Sequence, residues 1–192
     1  KKERKSKINY IVKDINEITS KDFKNIFCVI HLAAITDPKI CEDFPEKCIT
    51  TNVLGTQKIL EASRKNNCKV VYASTSHVYG IPKKIPISET ASTSPTSIYA
   101  GSKLAGEILC ESYSKQFNMD ISIARIFSVY GPESGKHYIL SNILAQLKNS
   151  NVIKLGNITS KRDFVFIINE FVSNDYIYTS RRLPVSNHYK AK

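Results

Sequence analysis

Tyr99 and Lys103 stand four residues apart in Tyr99-Ala-Gly-Ser-Lys103. On a helix that spacing puts both side chains on one face, a turn apart. An ammonium held beside a phenol favours the phenolate. The pairing therefore predicts a Tyr99 pKa lowered toward neutrality and a tyrosine fit to act as a general base. Two fixed positions in five are a weak signal, since a surface tyrosine lying on a lysine stem gives the same spacing. The upstream sequence strengthens it. Thr75 precedes Tyr99 by twenty-four residues, in Ala73-Ser74-Thr75-Ser76-His77, directly after the apolar run Val70-Val71-Tyr72-Ala73. A hydroxyl at the carboxyl end of a buried strand is placed to hydrogen-bond the same substrate oxygen as Tyr99. The plainer reading of Ser74–Ser76 is a polar strand-to-loop turn.

These residues need elements to hold them, and the pattern supplies alternating ones. Ile15–Phe23 reads as a short amphipathic helix and Cys28–Leu32 as a strand. Asn52–Lys65 reads as a helix through Val53, Thr56, Ile59, Leu60 and Ser63, followed by the strand beginning at Lys69. A loop with Pro82, Pro86 and Pro95 spans 80–97. Helix Tyr99–Gln116 follows, with Ala100, Leu104, Ile108 and Ser112 on one face. Strand Ile121–Ile126, helix Tyr138–Lys148 and a short strand Val152–Leu155 complete the series. Val- and Ile-rich strands alternating with helices predict an α/β fold with a parallel sheet covered on both faces. In such sheets ligands bind at the carboxyl ends of the strands, where Thr75 lies.

The chain has 192 residues, 42% hydrophobic and 23% charged, enough for one buried domain and part of a second. No apolar run approaches the ~20 residues of a membrane helix, and the N-terminus is too basic for a secretory signal. The net charge of +11 sits mostly at the ends, +4 in residues 1–7 and +4 in residues 181–192. Such runs read as solvated tails, so nucleic acid is not expected as a partner. Five cysteines without a CxxC pair point to a reducing cytoplasm and no disulfide framework. The four histidines show no metal-ligand spacing, and no metal is expected.

Taken together, the chain resembles the NAD-dependent epimerase/dehydratase family, the extended short-chain dehydrogenase/reductases that act on nucleotide sugars. Seven stretches occur in the family's order: Lys13-Asp14-Ile15, Val29–Ala34, Asn52–Thr56, Ala73–Gly80, Tyr99–Lys103, Arg125–Pro132 and Arg162-Asp163-Phe164-Val165. The resemblance implies a Rossmann-type doubly wound parallel sheet. It assigns Tyr99, Lys103 and Thr75 to catalysis. Asp14 and Ile15 would hold adenine, while Leu32, Ala33, Ala34, Ala73 and Phe127 would lie along the cofactor with Tyr99 and Lys103. Thr75, Ser76, His77, Ser128 and Arg162 would contact substrate, Arg162 by clamping its diphosphate. Asn52 would support the site. Asp14 also reads as a helix N-cap, a role compatible with the first. The implied cofactor is NAD, or NADP, and the implied substrate a nucleotide-diphosphate sugar. The implied reaction is 4-epimerisation through transient oxidation at sugar C4, with dehydration, decarboxylation or keto-reduction as the alternative. A homodimer through helix Tyr99–Gln116 and a cytoplasmic location would fit.

Departures from the family pattern qualify these expectations. None of the seven glycines precedes Gly55, so the glycine-rich βαβ unit that cradles a pyrophosphate is missing. The chain is thus expected to be N-terminally truncated and not to bind cofactor tightly. Residues 1–132 would form a partial cofactor domain and 133–192 a small partial substrate lobe. An inactive remnant or interaction module is the reading from another class. His77 replaces an acid used in elimination, Ser128 a frequent asparagine, and Ile168-Asn169 a frequent acidic pair. Ser186–Lys192 matches nothing in the family.

Overall fold

Three Val- and Ile-rich segments align side by side. In the computed structural model, which describes residues 9–132, 134–135, 138–150, 152–156, 162–167 and the backbone of 185–187, they become β1 (Cys28–His31), β2 (Lys69–Thr75) and β3 (Ile121–Ile126). All pair in parallel, with His31 opposite Tyr72 and Thr75 opposite Ile126. A further strand, β6 (Val185–Asn187), adds beside β3, giving the order β1-β2-β3-β6. Sequence reading left that segment unplaced. The pair Ile168-Asn169 and the basic residues of both end runs lie outside the described residues.

Helix α1 (Pro38–Asp43) follows β1, and α2 (Pro45–Ile49) runs through a π-helical turn at Thr50–Leu54 into α3 (Gly55–Lys65). Asp37 caps α1 by accepting a hydrogen bond from the Lys39 amide, with Pro38 at the first helical position. Cys41 and Cys48, both fully buried, are joined as a disulfide. This departs from the expectation of unpaired thiols: two short helices folding back on each other bring together cysteines that show no CxxC spacing. Cys28, Cys68 and Cys110 are free.

The long helix is α4 (Ile98–Phe117), capped by the Ser97 hydroxyl and ended by Asn118 in the left-handed region. Helices α3 and α4 pack on one face of the sheet, where Leu60 and Cys110 meet Val70, Tyr72, Ile121 and Ile123. The face of α4 that the periodicity picks out is not its buried one, since Ile108 is 58% exposed. Ala100 of that face is buried, but the rest of the buried stripe is Ser102, Lys103, Gly106, Glu107 and Cys110. Of these, Glu107 meets the carboxyl ends of β2 and β3 through Ser74 and Arg125, Ser102 meets Asn52, and Cys110 joins the apolar core. Gly106 is required by close approach, because a Cβ there would occupy the position of the Tyr72 hydroxyl.

Two further expectations change. Residues 15–23 form two separate 3-10 turns, Ile15–Glu17 and Ser20–Phe23, and not one helix. Asp14 caps the first, and a Thr19/Asp22 capping box starts the second, leaving Ile18 extended between them. Residues 152–155 are not a strand: Val152, Ile153 and Leu155 are exposed, and the backbone of Lys154 bonds to the Gln146 side chain. The second sheet is instead β4 (Ser128–Tyr130) paired in parallel with β5 (Phe164–Phe166), with α5 (Ile139–Leu147) between them in sequence. No described helix is long and apolar enough to cross a membrane.

Candidate active site

A cleft of about 560 Å³ opens at the carboxyl ends of β1, β2 and β3. Its wall takes Leu32 and Ala34 from the segment after β1, Ala73–His77 from the end of β2, and Tyr99 and Lys103 from α4. Phe127, Ser128 and Arg162 complete the set expected from sequence. Four expected residues lie elsewhere. Ala33 does not line the cleft, and Asn52 stands behind it. Exposed Asp14 borders a separate recess with Asp43, Lys47 and Thr51. Ile15 packs on the apolar cluster of Phe23 and Ile59.

Thr75 is the last residue of β2, and its side chain lines the cleft wall together with Tyr99 from the first turn of α4, close enough to act on the phenol's pKa. The Tyr99 pKa nevertheless runs against the sequence expectation. Burial pushes the phenol up, the nearby Thr75 hydroxyl draws it back, and Tyr138 adds to the rise. Lys103 does not counter this, because its ammonium lies over the ring of Tyr72, 4.3 Å from the centroid. Among the described residues it makes no ion pair or hydrogen bond to Tyr99. Lys103 is only 4% exposed, and burial brings its pKa down to about 8. The His77 ring stands edge-on to Tyr99 at 5.9 Å between centroids. Burial, and then the charge of Arg162, hold His77 below the usual histidine range.

A second layer fixes this arrangement. Buried Asn52 accepts from the Ile35 amide at 2.7 Å and donates to the Ile35 carbonyl at 3.0 Å and the Ser102 hydroxyl at 2.9 Å. Ser102 in turn donates to the Tyr99 carbonyl at 2.7 Å. The segment after β1 is thereby tied to the first turn of α4. The Thr56 hydroxyl donates to the Asn52 carbonyl at 2.6 Å, so its contact with His31 Nε2 at 2.9 Å is one it accepts, and His31 is the Nε2–H tautomer. Burial, then the charge of Lys103, brings the His31 pKa down to about 4.

Sequence reasoning missed Thr36, Asp37 and the α5 residues Ile139–Ser141 of the cleft wall, together with Tyr138 before them. Asp37-Pro38 carried a readable helix-start signal; the α5 residues carried none, since their approach depends on tertiary packing. No cluster of three metal-ligating side chains occurs among the described residues.

The chain is similar in sequence and fold to known proteins. Residues 6–170 match the model of the "NAD dependent epimerase/dehydratase family". A putative UDP-glucose 4-epimerase of Methanocaldococcus jannaschii is 35% identical over 161 residues, which cover 81% of this chain and 52% of that protein. A UDP-glucuronic acid 4-epimerase from Bacillus cereus, solved with UDP-glucuronic acid and NAD, superimposes with a TM-score of 0.74 at 36% identity, covering 82% of this chain and 51% of that one. An NAD dependent NDP-hexosamine 5,6-dehydratase involved in tunicamycin biosynthesis gives a TM-score of 0.81 at 26% identity, covering 91% and 59%. The chain spans about half the length of these relatives.

Proposed function

This chain belongs to the NAD dependent epimerase/dehydratase family, and from that premise we propose that its cleft serves the 4-epimerisation of a nucleotide-diphosphate sugar with NAD. The observation that carries the reading is the convergence of Thr75, Tyr99 and Lys103 on one cleft at the carboxyl end of β2, with Lys103 one turn after Tyr99 on the same helix. Small side chains at Ala34 and Ala73, and a buried lysine with no carboxylate partner among the described residues, fit the nicotinamide-ribose end of NAD. Bound there, NAD would supply the hydride acceptor and return the hydride. Lys103 would donate to ribose hydroxyls. Its ammonium, near Tyr99 on the helix face, would favour the phenolate once turned from the Tyr72 ring.

Tyr99 would take the proton of the sugar hydroxyl as hydride leaves the same carbon, and Thr75 would hold the oxygen. Positioned proton transfer of this kind accelerates reactions by about 10²–10⁴-fold. Arg162 on the cleft wall would take the diphosphate. His77, Ser76 and Ser128 would face the sugar, and Phe127 the border between sugar and nicotinamide. Epimerisation is favoured over elimination because position 77 offers no carboxylic acid and burial keeps its imidazole neutral. Residues 1–132 would act as the cofactor part and 133–192 as the substrate part. This division is supported by Tyr138, Arg162 and Phe164 lining the cleft from beyond residue 132.

The test is interconversion of C4 epimers. UDP-hexoses and UDP-hexuronates are incubated with the protein and NAD and followed by proton NMR, with Tyr99→Phe in parallel. The proposal expects one pair to interconvert and the variant to do so about 10²–10⁴-fold more slowly. NAD binding without interconversion of any pair would reject it.

A further inference from the structure

Behind the cleft floor, one turn after Lys103, Glu107 is buried to 1% exposure and does not line the cleft. Its carboxylate accepts from Arg125 Nε at 3.0 Å and Nη2 at 2.7 Å, and from the Ser74 hydroxyl. Ser74 and Arg125 face each other in the β2–β3 register. Arg125 also donates to the Glu89 carbonyl at 3.3 Å and lies over the Tyr79 ring. One carboxylate thus joins the ends of two strands to the middle of α4.

This layer did not have to be polar. One turn further along α4, Cys110 belongs to the apolar cluster of Leu60, Val70 and Ile123. Desolvating an ion pair is costly, and apolar packing of similar volume generally folds as well. What the pair supplies is register. Glu107 lies eight residues from Tyr99 on one helix, and Ser74 adjoins Thr75. A helix rises about 1.5 Å per residue, so a one-residue slip of α4 on β2 would part the Tyr99 and Thr75 oxygens.

We propose that Glu107 is a positioning residue: through Ser74 and Arg125 it locks α4 on β2 at the height where Tyr99 meets Thr75. This rests on reading Thr75 and Tyr99 as the reacting pair, and it can fail independently of that reading. The test needs neither cofactor nor sugar. The protein is labelled with tyrosine carrying 13C at Cζ, Tyr99 is assigned among the ten tyrosines by Tyr99→Phe, and its titration is followed by NMR. Thr75→Val is the reference and should raise the Tyr99 midpoint by about half to one pH unit. Two variants then test the lock. Ser74→Ala removes only the link to β2. Glu107→Met with Arg125→Met replaces the pair by apolar side chains and leaves no unpaired charge. Both should raise the Tyr99 midpoint in the direction of Thr75→Val, the double variant while melting near the wild-type temperature. If the double variant does not fold, Ser74→Ala decides alone. A wild-type midpoint in the folded lock variants, with Thr75→Val shifted, would overturn the positioning role and leave the reacting pair intact. An unshifted Thr75→Val would remove the pair, and the proposal with it.

Discussion

The two ends of the layer between α4 and β2 are built from different chemistry. Toward the amino ends of the strands, Leu60, Val70, Cys110, Ile121 and Ile123 make an apolar core. Toward the carboxyl ends, His31, Ser74, Thr75, Lys103, Glu107 and Arg125 are buried just as deeply. The first end gains stability from area removed from water. The second spends it, because each buried polar group needs a partner: Glu107 has Arg125 and Ser74, and His31 has Thr56. The apolar end holds the fold, and the polar end fixes directions for hydroxyls and charges at the cleft.

Four changes would break or sharpen that contrast. The largest effect belongs to the polar end and falls on chemistry: Tyr99→Phe should lower turnover of the epimerised sugar about 10²–10⁴-fold while the melting temperature stays near wild type. The matching change at the apolar end falls on stability. Leu60→Ala should cost about 2–5 kcal/mol in urea unfolding by leaving a cavity.

Acid should reach the polar end first. The His31 pKa drops to about 4 in the fold, against 6.5 in the unfolded chain. Between those values the unfolded state binds more protons, so stability falls as pH falls from 6.5 through 4. The loss is about 3 kcal/mol for this one group. His31→Gln keeps a donor toward Thr56 and should flatten that part of the stability profile measured by denaturation at stepped pH. The smallest effect lies outside both ends: Asp14→Ala removes the cap on the 15–17 turn and should cost about 1 kcal/mol. A much larger loss at Asp14 would mean that the contrast of ends misses a third region that matters.

Sequence made the strands and the meeting of Thr75, Tyr99 and Lys103 at one cleft legible for a local reason. Val70–Ala73 and Ile121–Ile126 are buried runs whose period and composition need no partner to be read, and Thr75, Tyr99 and Lys103 sit at fixed offsets from them. What remained hidden was set by neighbours. The buried stripe of α4 carries Lys103 and Glu107, so an apolar periodicity points to the wrong face. The Tyr99 pKa depends on burial and on where Lys103 turns, which spacing alone cannot give. Val152–Leu155 has strand composition but no strand beside it among the described residues, so its backbone bonds to Gln146 instead. The Cys41–Cys48 pair depends on how α1 meets α2, and no spacing rule encodes that angle.

The central claim is that nicotinamide cofactor and sugar nucleotide meet at the carboxyl ends of β1 to β3. Amide chemical-shift mapping on the 15N-labelled protein, titrated with NAD and then with a UDP-hexose, tests it even where affinity is weak. The account predicts shifts concentrated at Ala73–His77 and in the first turns of α4, with the sugar nucleotide adding shifts at Ser128 and Arg162. Shifts absent from those residues, or confined to the recess around Asp14 and Thr51, would contradict it.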